Sequence, residues 1–159
     1  MNLSAEHPPN LPTADGNPPS GALVVLDTNI VLDLLLFQDP ATVKLKAALG
    51  DSSLQWIATV AMRDELARVL GYPYIVKSLQ HHAVQAMQVL TEFDTHAKLL
   101  AVAPRASAVC KDPDDQKFID LAVAYQALLL SKDKAVLCMK KRLLALDVSV
   151  SIAIDLIAV

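Results

Sequence analysis

Residues 23–36, LVVLDTNIVLDLLL, place one acidic residue directly after a short hydrophobic run. The first four residues have the composition of a buried strand, and an apolar series at helical spacing follows Asp27, Thr28 and Asn29. The carboxylate of Asp27 has two interpretations: it caps the next helix, or it belongs to a functional site. The positions of the other acidic residues decide between them.

The composition indicates one globular domain. Of the 159 residues, 53% are hydrophobic and 19% are charged, which is typical of a chain with a large buried core. Five of the nine prolines lie in residues 1–21, so we expect a flexible proline-rich arm there and a folded domain over residues 22–159. The formal net charge of −3 argues against a broad basic surface for non-specific nucleic-acid binding.

The hydrophobic residues do not predict a membrane segment. No apolar run approaches the roughly 20 residues needed to cross a bilayer. The N-terminal residues lack the apolar centre of a signal peptide, so we expect a cytoplasmic protein with no membrane partner.

Strand-like and helix-like segments alternate beyond the arm. We predict strands at residues 23–26, 55–59, 98–102, 128–131 and 148–154. Helices lie between them, including one predicted helix over residues 75–93. This alternation predicts a three-layer α/β/α fold around a mainly parallel sheet of about five strands. In such folds, ligands bind at the carboxyl ends of the strands.

Acidic residues from four separate segments are predicted to meet at that edge of the sheet. Asp27 and Asp133 each follow a predicted strand, and Glu65 lies in the first turns of a helix that begins at the same edge. A further group lies where the helix before strand 128–131 begins: Asp112, Asp114 and Asp115. Each acid taken alone could be a helix cap or a first-turn acid. Clustered carboxylates, however, repel one another unless a hard cation such as Mg²⁺ or Mn²⁺ neutralises them.

Four sequence blocks contain these acids: VLDTN at residues 25–29, RDELARVL at 63–70, DPDDQKF at 112–118 and LSKDK at 130–134. Together they resemble the PIN domain family, a metal-dependent nuclease fold. In order and spacing they are similar to the PIN-family toxin components of bacterial toxin–antitoxin systems. The resemblance covers roughly residues 22–155, nearly everything beyond the arm.

The resemblance implies a set of site residues. The catalytic and metal-binding acids it implies are Asp27, Glu65, Asp115 and Asp133. The small polar residues Thr28, Asn29 and Ser131 would orient these acids. Asp112 and Asp114 would be their acidic neighbours. The turn at residues 131–133 departs from the family pattern, because Ser131 stands where Thr is commoner. Lys132 and Lys134 either contact substrate phosphate or are solvated at the start of a helix.

The implied activity is that of an Mg²⁺- or Mn²⁺-dependent endoribonuclease that hydrolyses RNA phosphodiester bonds. Its expected partners are the RNA substrate, an antitoxin protein and a second copy of the chain, since the hydrophobic composition suggests a homodimer or a capped groove. One alternative is a phosphotransfer fold, but a phosphatase of that kind needs a second Asp where Asn29 stands. Another alternative is a non-catalytic PIN-like module that binds RNA or protein.

Overall fold

The predicted parallel sheet is confirmed. The computed structural model describes residues 22–154, so the predicted N-terminal arm and residues 155–159 lie outside the described part of the chain. The strands are β1 (Ala22–Leu26), β2 (Leu54–Ala58), β3 (Ala97–Leu99), β4 (Leu128–Leu130) and β5 (Val150–Ser151). They form one sheet in the order β3-β2-β1-β4-β5, and every pair of neighbours is parallel.

Helices connect the strands and complete a three-layer α/β/α fold. They are α1 (Thr28–Leu32), α2 (Val43–Gly50), α3 (Val60–Val69), α4 (Pro73–His81), α5 (Ala86–His96), α6 (Gln116–Tyr125), α7 (Lys134–Leu137) and α8 (Lys140–Leu144). A π-helical turn, Asp33–Phe37, continues α1, and 3₁₀ turns at Pro40–Thr42 and Pro113–Asp115 precede α2 and α6. Within residues 22–154, no helix is long and apolar enough to cross a lipid bilayer.

Strand β1 lies at the centre of the sheet and is buried on both faces. Successive side chains of a strand point to opposite faces, and both Val24 and Val25 are fully buried. This explains why the strand is a continuous hydrophobic run instead of an alternating one. Its register places Val24 beside Trp56 of β2 on one side and beside Leu128 of β4 on the other.

The strand order creates a crevice beside β1. From β1 the chain proceeds through β2 to β3 on one side, and then crosses over to β4 and β5 on the other side. The direction of winding therefore reverses between β1 and β4. In doubly wound sheets a ligand binds at this point, outside the carboxyl ends of the two strands.

The predicted single helix over residues 75–93 is wrong, because two helices, α4 and α5, occupy this region. Ala83 has a left-handed backbone, with φ of 54°, and it ends α4. The Val84 amide donates to the Leu79 carbonyl at 2.9 Å and the Ala83 amide donates to the Gln80 carbonyl at 3.1 Å. This pair of bonds is a Schellman motif, which usually contains glycine.

Candidate metal centre

Three of the predicted acids meet in the crevice between β1 and β4. Asp27 follows β1, Asp133 follows β4, and Asp115 ends the 3₁₀ turn that leads into α6. One carboxylate oxygen from each of these three residues lies within 4.8 Å of the other two. Asp27 and Asp115 are buried, whereas Asp133 is half-buried at the mouth of the crevice.

The side chain of Asp27 does not cap a helix. Asp27 occupies the N-cap position of α1, but its carboxylate makes no capping hydrogen bond. Instead, the hydroxyl of Ser131 donates to Asp27 Oδ2 at 2.6 Å. The same hydroxyl oxygen accepts the amide of Asp133 at 3.0 Å. The fully buried Ser131 therefore fixes two of the acids relative to each other.

Asp133 and Asp112 both act as caps, with different positions relative to the centre. Asp133 Oδ1 accepts the amide of Ala135 at 2.8 Å, and Asp133 also belongs to the group of three carboxylates. Asp112 Oδ1 accepts the amide of Asp114 at 3.0 Å and stabilises the 3₁₀ turn. Neither Asp112 nor Asp114 belongs to that group among the described residues.

Asp115 carries an unsatisfied polar atom. Its Oδ2 is buried and has no hydrogen-bond partner among the described residues. Burial raises the pKa of Asp115 to about 7, and the negative charges of Asp27 and Asp133 add to the rise. A buried acceptor without a donor is costly for a fold. A bound cation would remove this cost.

Burial also raises the pKa of Asp27. The hydrogen bond from Ser131 opposes the rise, and the charges of Asp133 and Glu65 add to it. The pKa values of Asp27 and Asp115 are thus raised for the same two reasons, which are desolvation and repulsion by neighbouring carboxylates. A positive ion between the carboxylates would reverse both effects.

Glu65 lies near the three aspartates but outside their group. It is on α3, where the hydroxyl of Thr28 donates to its Oε2 and the ammonium of Lys117 lies 2.6 Å from its Oε1. Asn29, also predicted to support the acids, is exposed in the first turn of α1. Thr28 therefore contacts Glu65. The roles of Asp27, Glu65, Asp115 and Asp133 stay predictions.

The comparison with known families agrees with the fold. The model of the PIN domain matches residues 23–135, more than half of the chain. The chain belongs to the PIN domain family. The matched region contains Asp27, Glu65, Asp115 and Asp133. No curated protein matches the chain. PIN domains are generally metal-dependent nucleases.

The donor set of this PIN domain suits a hard divalent cation. The group of three consists of carboxylates, and within the described residues it includes no thiol or imidazole. Mg²⁺ and Mn²⁺ prefer such oxygen ligands, with water completing the shell. Asp115 Oδ2 in addition lacks any donor within the described residues. The residues present therefore fit a divalent ion held by Asp27, Asp115 and Asp133.

The lysines near the three aspartates differ in their contacts. Lys132, a candidate for a phosphate contact, pairs with the buried Asp33, with 2.6 Å between Nζ and Oδ2, and its role stays a prediction. Lys134 is exposed beside Asp133 and stays a candidate for a phosphate contact. The sequence did not predict the pairing of Lys117 with Glu65. A lysine in the first turn of a helix is most often solvated, and nothing in the sequence distinguishes it from a lysine paired with a distant acid.

Proposed function

We propose that this PIN domain is an Mg²⁺- or Mn²⁺-dependent endoribonuclease that hydrolyses phosphodiester bonds of RNA. One observation supports the proposal most directly. Three carboxylates converge within 4.8 Å at the winding reversal of the sheet, and one of them has a buried oxygen without a partner among residues 22–154. Without a cation, this arrangement is costly for the fold. Its presence is therefore best explained by an ion that the acids hold.

The chain's own residues would supply the geometry of the reaction. Asp27, Asp115 and Asp133 would hold the ion, and when bound it lowers the pKa of water and stabilises charge on the phosphate. Ser131 orients Asp27 through a 2.6 Å hydrogen bond. Lys134, which is exposed beside Asp133, would contact a substrate phosphate.

A cleavage assay tests the proposal. The purified full-length protein is expected to cut mixed single-stranded RNAs in the presence of Mg²⁺ or Mn²⁺ and to stop when a chelator is added. Asp115→Asn should be inactive. Asp39→Asn is the matched control, because Asp39 caps a helical turn by accepting the Ala41 amide at 2.9 Å and should tolerate Asn.

Three outcomes would contradict a metal-dependent endoribonuclease that uses this centre. They are cleavage that persists in excess chelator, full activity of Asp115→Asn, and RNA binding without cleavage at saturating metal. The last outcome would favour the non-catalytic binding module.

The toxin role is part of the same proposal, and it rests on the similarity of the four sequence blocks to PIN-family toxins. Expression of the chain alone should arrest growth, and co-expression of an adjacent small open reading frame should restore it. Asp115→Asn should not arrest growth. A cytoplasmic location and a homodimer also belong to this proposal, and sedimentation of the purified protein measures the second.

A further inference from the structure

Both carboxylate oxygens of Glu65 are occupied by groups of the chain itself. The hydroxyl of Thr28 donates to Oε2, and the ammonium of Lys117 lies 2.6 Å from Oε1. The Glu65 side chain is only 17% exposed, so water screens this ion pair less than a surface pair. The charge of Glu65 is therefore already balanced before any ion binds.

Lys117 is held in place by three separate contacts. Besides the pair with Glu65, its Nζ donates to the Asp114 carbonyl at 2.6 Å and lies 5.0 Å from the centre of the Phe118 ring. A solvated lysine on a helix surface would keep its side-chain freedom, and holding it in one geometry has an entropic cost. The contacts fix the ammonium against Glu65.

The residues that form the pair are linked to the aspartates by neighbouring positions in the chain. Thr28, which holds Glu65, is the residue after Asp27, and Lys117 lies two residues after Asp115. The charge of Glu65 acts on Asp27, so the two carboxylates are within electrostatic reach. A second divalent ion that took Glu65 as a ligand would lie next to the Lys117 ammonium, which repels it.

We propose that the centre takes one divalent ion, on Asp27, Asp115 and Asp133, and that Lys117 provides the second positive charge by pairing with Glu65. This inference rests on the proposed metal-dependent function and specifies its stoichiometry. One divalent ion and one ammonium bring three positive charges to the four carboxylates.

A count of bound Mn²⁺ tests the inference. Spectroscopic titration of free Mn²⁺ should give one bound ion per chain for the full-length parent. Lys117→Met keeps the length of the side chain and removes its charge, so Glu65 becomes available and the variant should bind two ions. Lys117→Arg, which keeps the charge, should bind one ion. Lys77→Met is the matched control, because Lys77 is exposed on α4, and it should also bind one ion.

A double variant links the second ion to Glu65. Lys117→Met combined with Glu65→Gln should return to one bound ion, since the acid that holds the additional ion is gone. Thermal unfolding checks that each variant is folded, and Lys117→Gln replaces Lys117→Met if the latter is not.

The results separate this inference from the proposed function. Two ions in the parent, or one ion in the folded charge-removing variant at position 117, would overturn the single-ion assignment and leave a metal-dependent nuclease intact. No bound ion in the parent would overturn the proposed metal centre together with this inference.

Discussion

At the scale of single residues, Asp27 and Asp133 follow neighbouring strands but use their carboxylates differently. Asp133 Oδ1 caps α7 by accepting the Ala135 amide, whereas Asp27 Oδ2 accepts the Ser131 hydroxyl and makes no cap. A carboxylate has two oxygens, so Asp133 can cap a helix with one and face the other acids. Capping and ion binding are therefore compatible at Asp133, whereas Asp27 makes no side-chain cap and stays a predicted ligand.

Replacing Asp27 with Asn should separate charge repulsion from ordinary packing. Two like charges about 5 Å apart repel by roughly 3 kcal/mol at an effective dielectric near 20, an upper value that protonation reduces. The metal-free Asp27→Asn variant should therefore unfold at a higher temperature than the metal-free parent. Mg²⁺ should stabilise the parent, because it binds the folded state, and should barely affect the variant. Melting both proteins with and without Mg²⁺ measures this.

Asp39→Asn is the control for this substitution. Asp39 caps the turn before α2, and Asn is about as good a cap. The free energy of unfolding of the Asp39→Asn variant should therefore differ from that of the parent by only a few tenths of a kcal/mol. Its response to Mg²⁺ should be unaltered. An equal response of the parent and Asp27→Asn to the ion would show that Asp27 is not a ligand.

The raised pKa of Asp115 predicts a pH dependence of the metal-free protein. In the folded state its pKa is about 7, against 3.8 for a solvated Asp. Between these values the unfolded chain releases the proton and the folded chain keeps it, so the contribution of Asp115 lowers the free energy of unfolding as pH rises. The full shift corresponds to an upper limit on the order of 4 kcal/mol. Asp115→Asn should remove this dependence.

Urea unfolding of the metal-free parent and of Asp115→Asn, at pH values from about 4 to 8, measures the difference between their stabilities. Asp51→Asn is the opposite case, since hydrogen bonds from Ser53 lower the pKa of Asp51. Its stabilising contribution is lost only as the pH falls through that lowered value, so its difference from the parent should stay constant above about pH 5. A constant difference for Asp115→Asn as well would refute the raised pKa.

At the scale of secondary-structure elements, the break between α4 and α5 makes a prediction about the backbone. Ala83 adopts a left-handed conformation that favours glycine, and it is exposed. Ala83→Gly should stabilise the domain by about 1 kcal/mol, the cost of a left-handed backbone for a residue with a Cβ. Ala67→Gly, at an exposed position inside α3, should destabilise it by about 1 kcal/mol. Thermal unfolding compares the two, and destabilisation by both would contradict the helix end assigned to Ala83.

The elements that could be predicted from the sequence are those with a strong local signal. The strands are short apolar runs between polar turns, and they alternate with helices. Because this alternation indicates a parallel sheet covered by helices, the α/β fold could be predicted. The end of α4 was missed because Ala83 stands where glycine usually marks the stop. A weaker signal was present: Gln85 and Gln88 form a capping box at the start of α5.

The sequence predicted which edge of the sheet holds the acids, but not the distances between their side chains. Parallel strands bring their carboxyl ends to one edge, which is why Asp27 and Asp133 were expected together. Which acids would be closest depends on side-chain partners far apart in the sequence. The bond between Ser131 and Asp27 spans 104 residues, and the Lys117–Glu65 pair joins α6 to α3. Spacing alone therefore could not show that Glu65 lies outside the group of three.

At the scale of the whole molecule, the composition of residues 1–21 predicts that they contribute little to stability. A segment so rich in proline and poor in large apolar residues can bury little apolar surface. Removal of residues 1–20 should leave the melting temperature and its response to Mg²⁺ nearly unchanged. A fall of more than about 4 °C, equivalent to roughly 1 kcal/mol for a domain of this size, would show that the arm docks on the domain.

The central position of β1 has a consequence for protein synthesis. Among the strands of residues 22–154, β1 is the first to leave the ribosome, yet it stays without one of its two neighbours until β4 has been made, because Val24 pairs with Leu128. The chain must therefore be translated past Asp133 before the three aspartates can meet. A nascent chain that has exposed Asp27 alone carries no assembled centre. If the proposed function is correct, the nascent protein cannot cleave the messenger RNA that encodes it until nearly the entire domain has been translated.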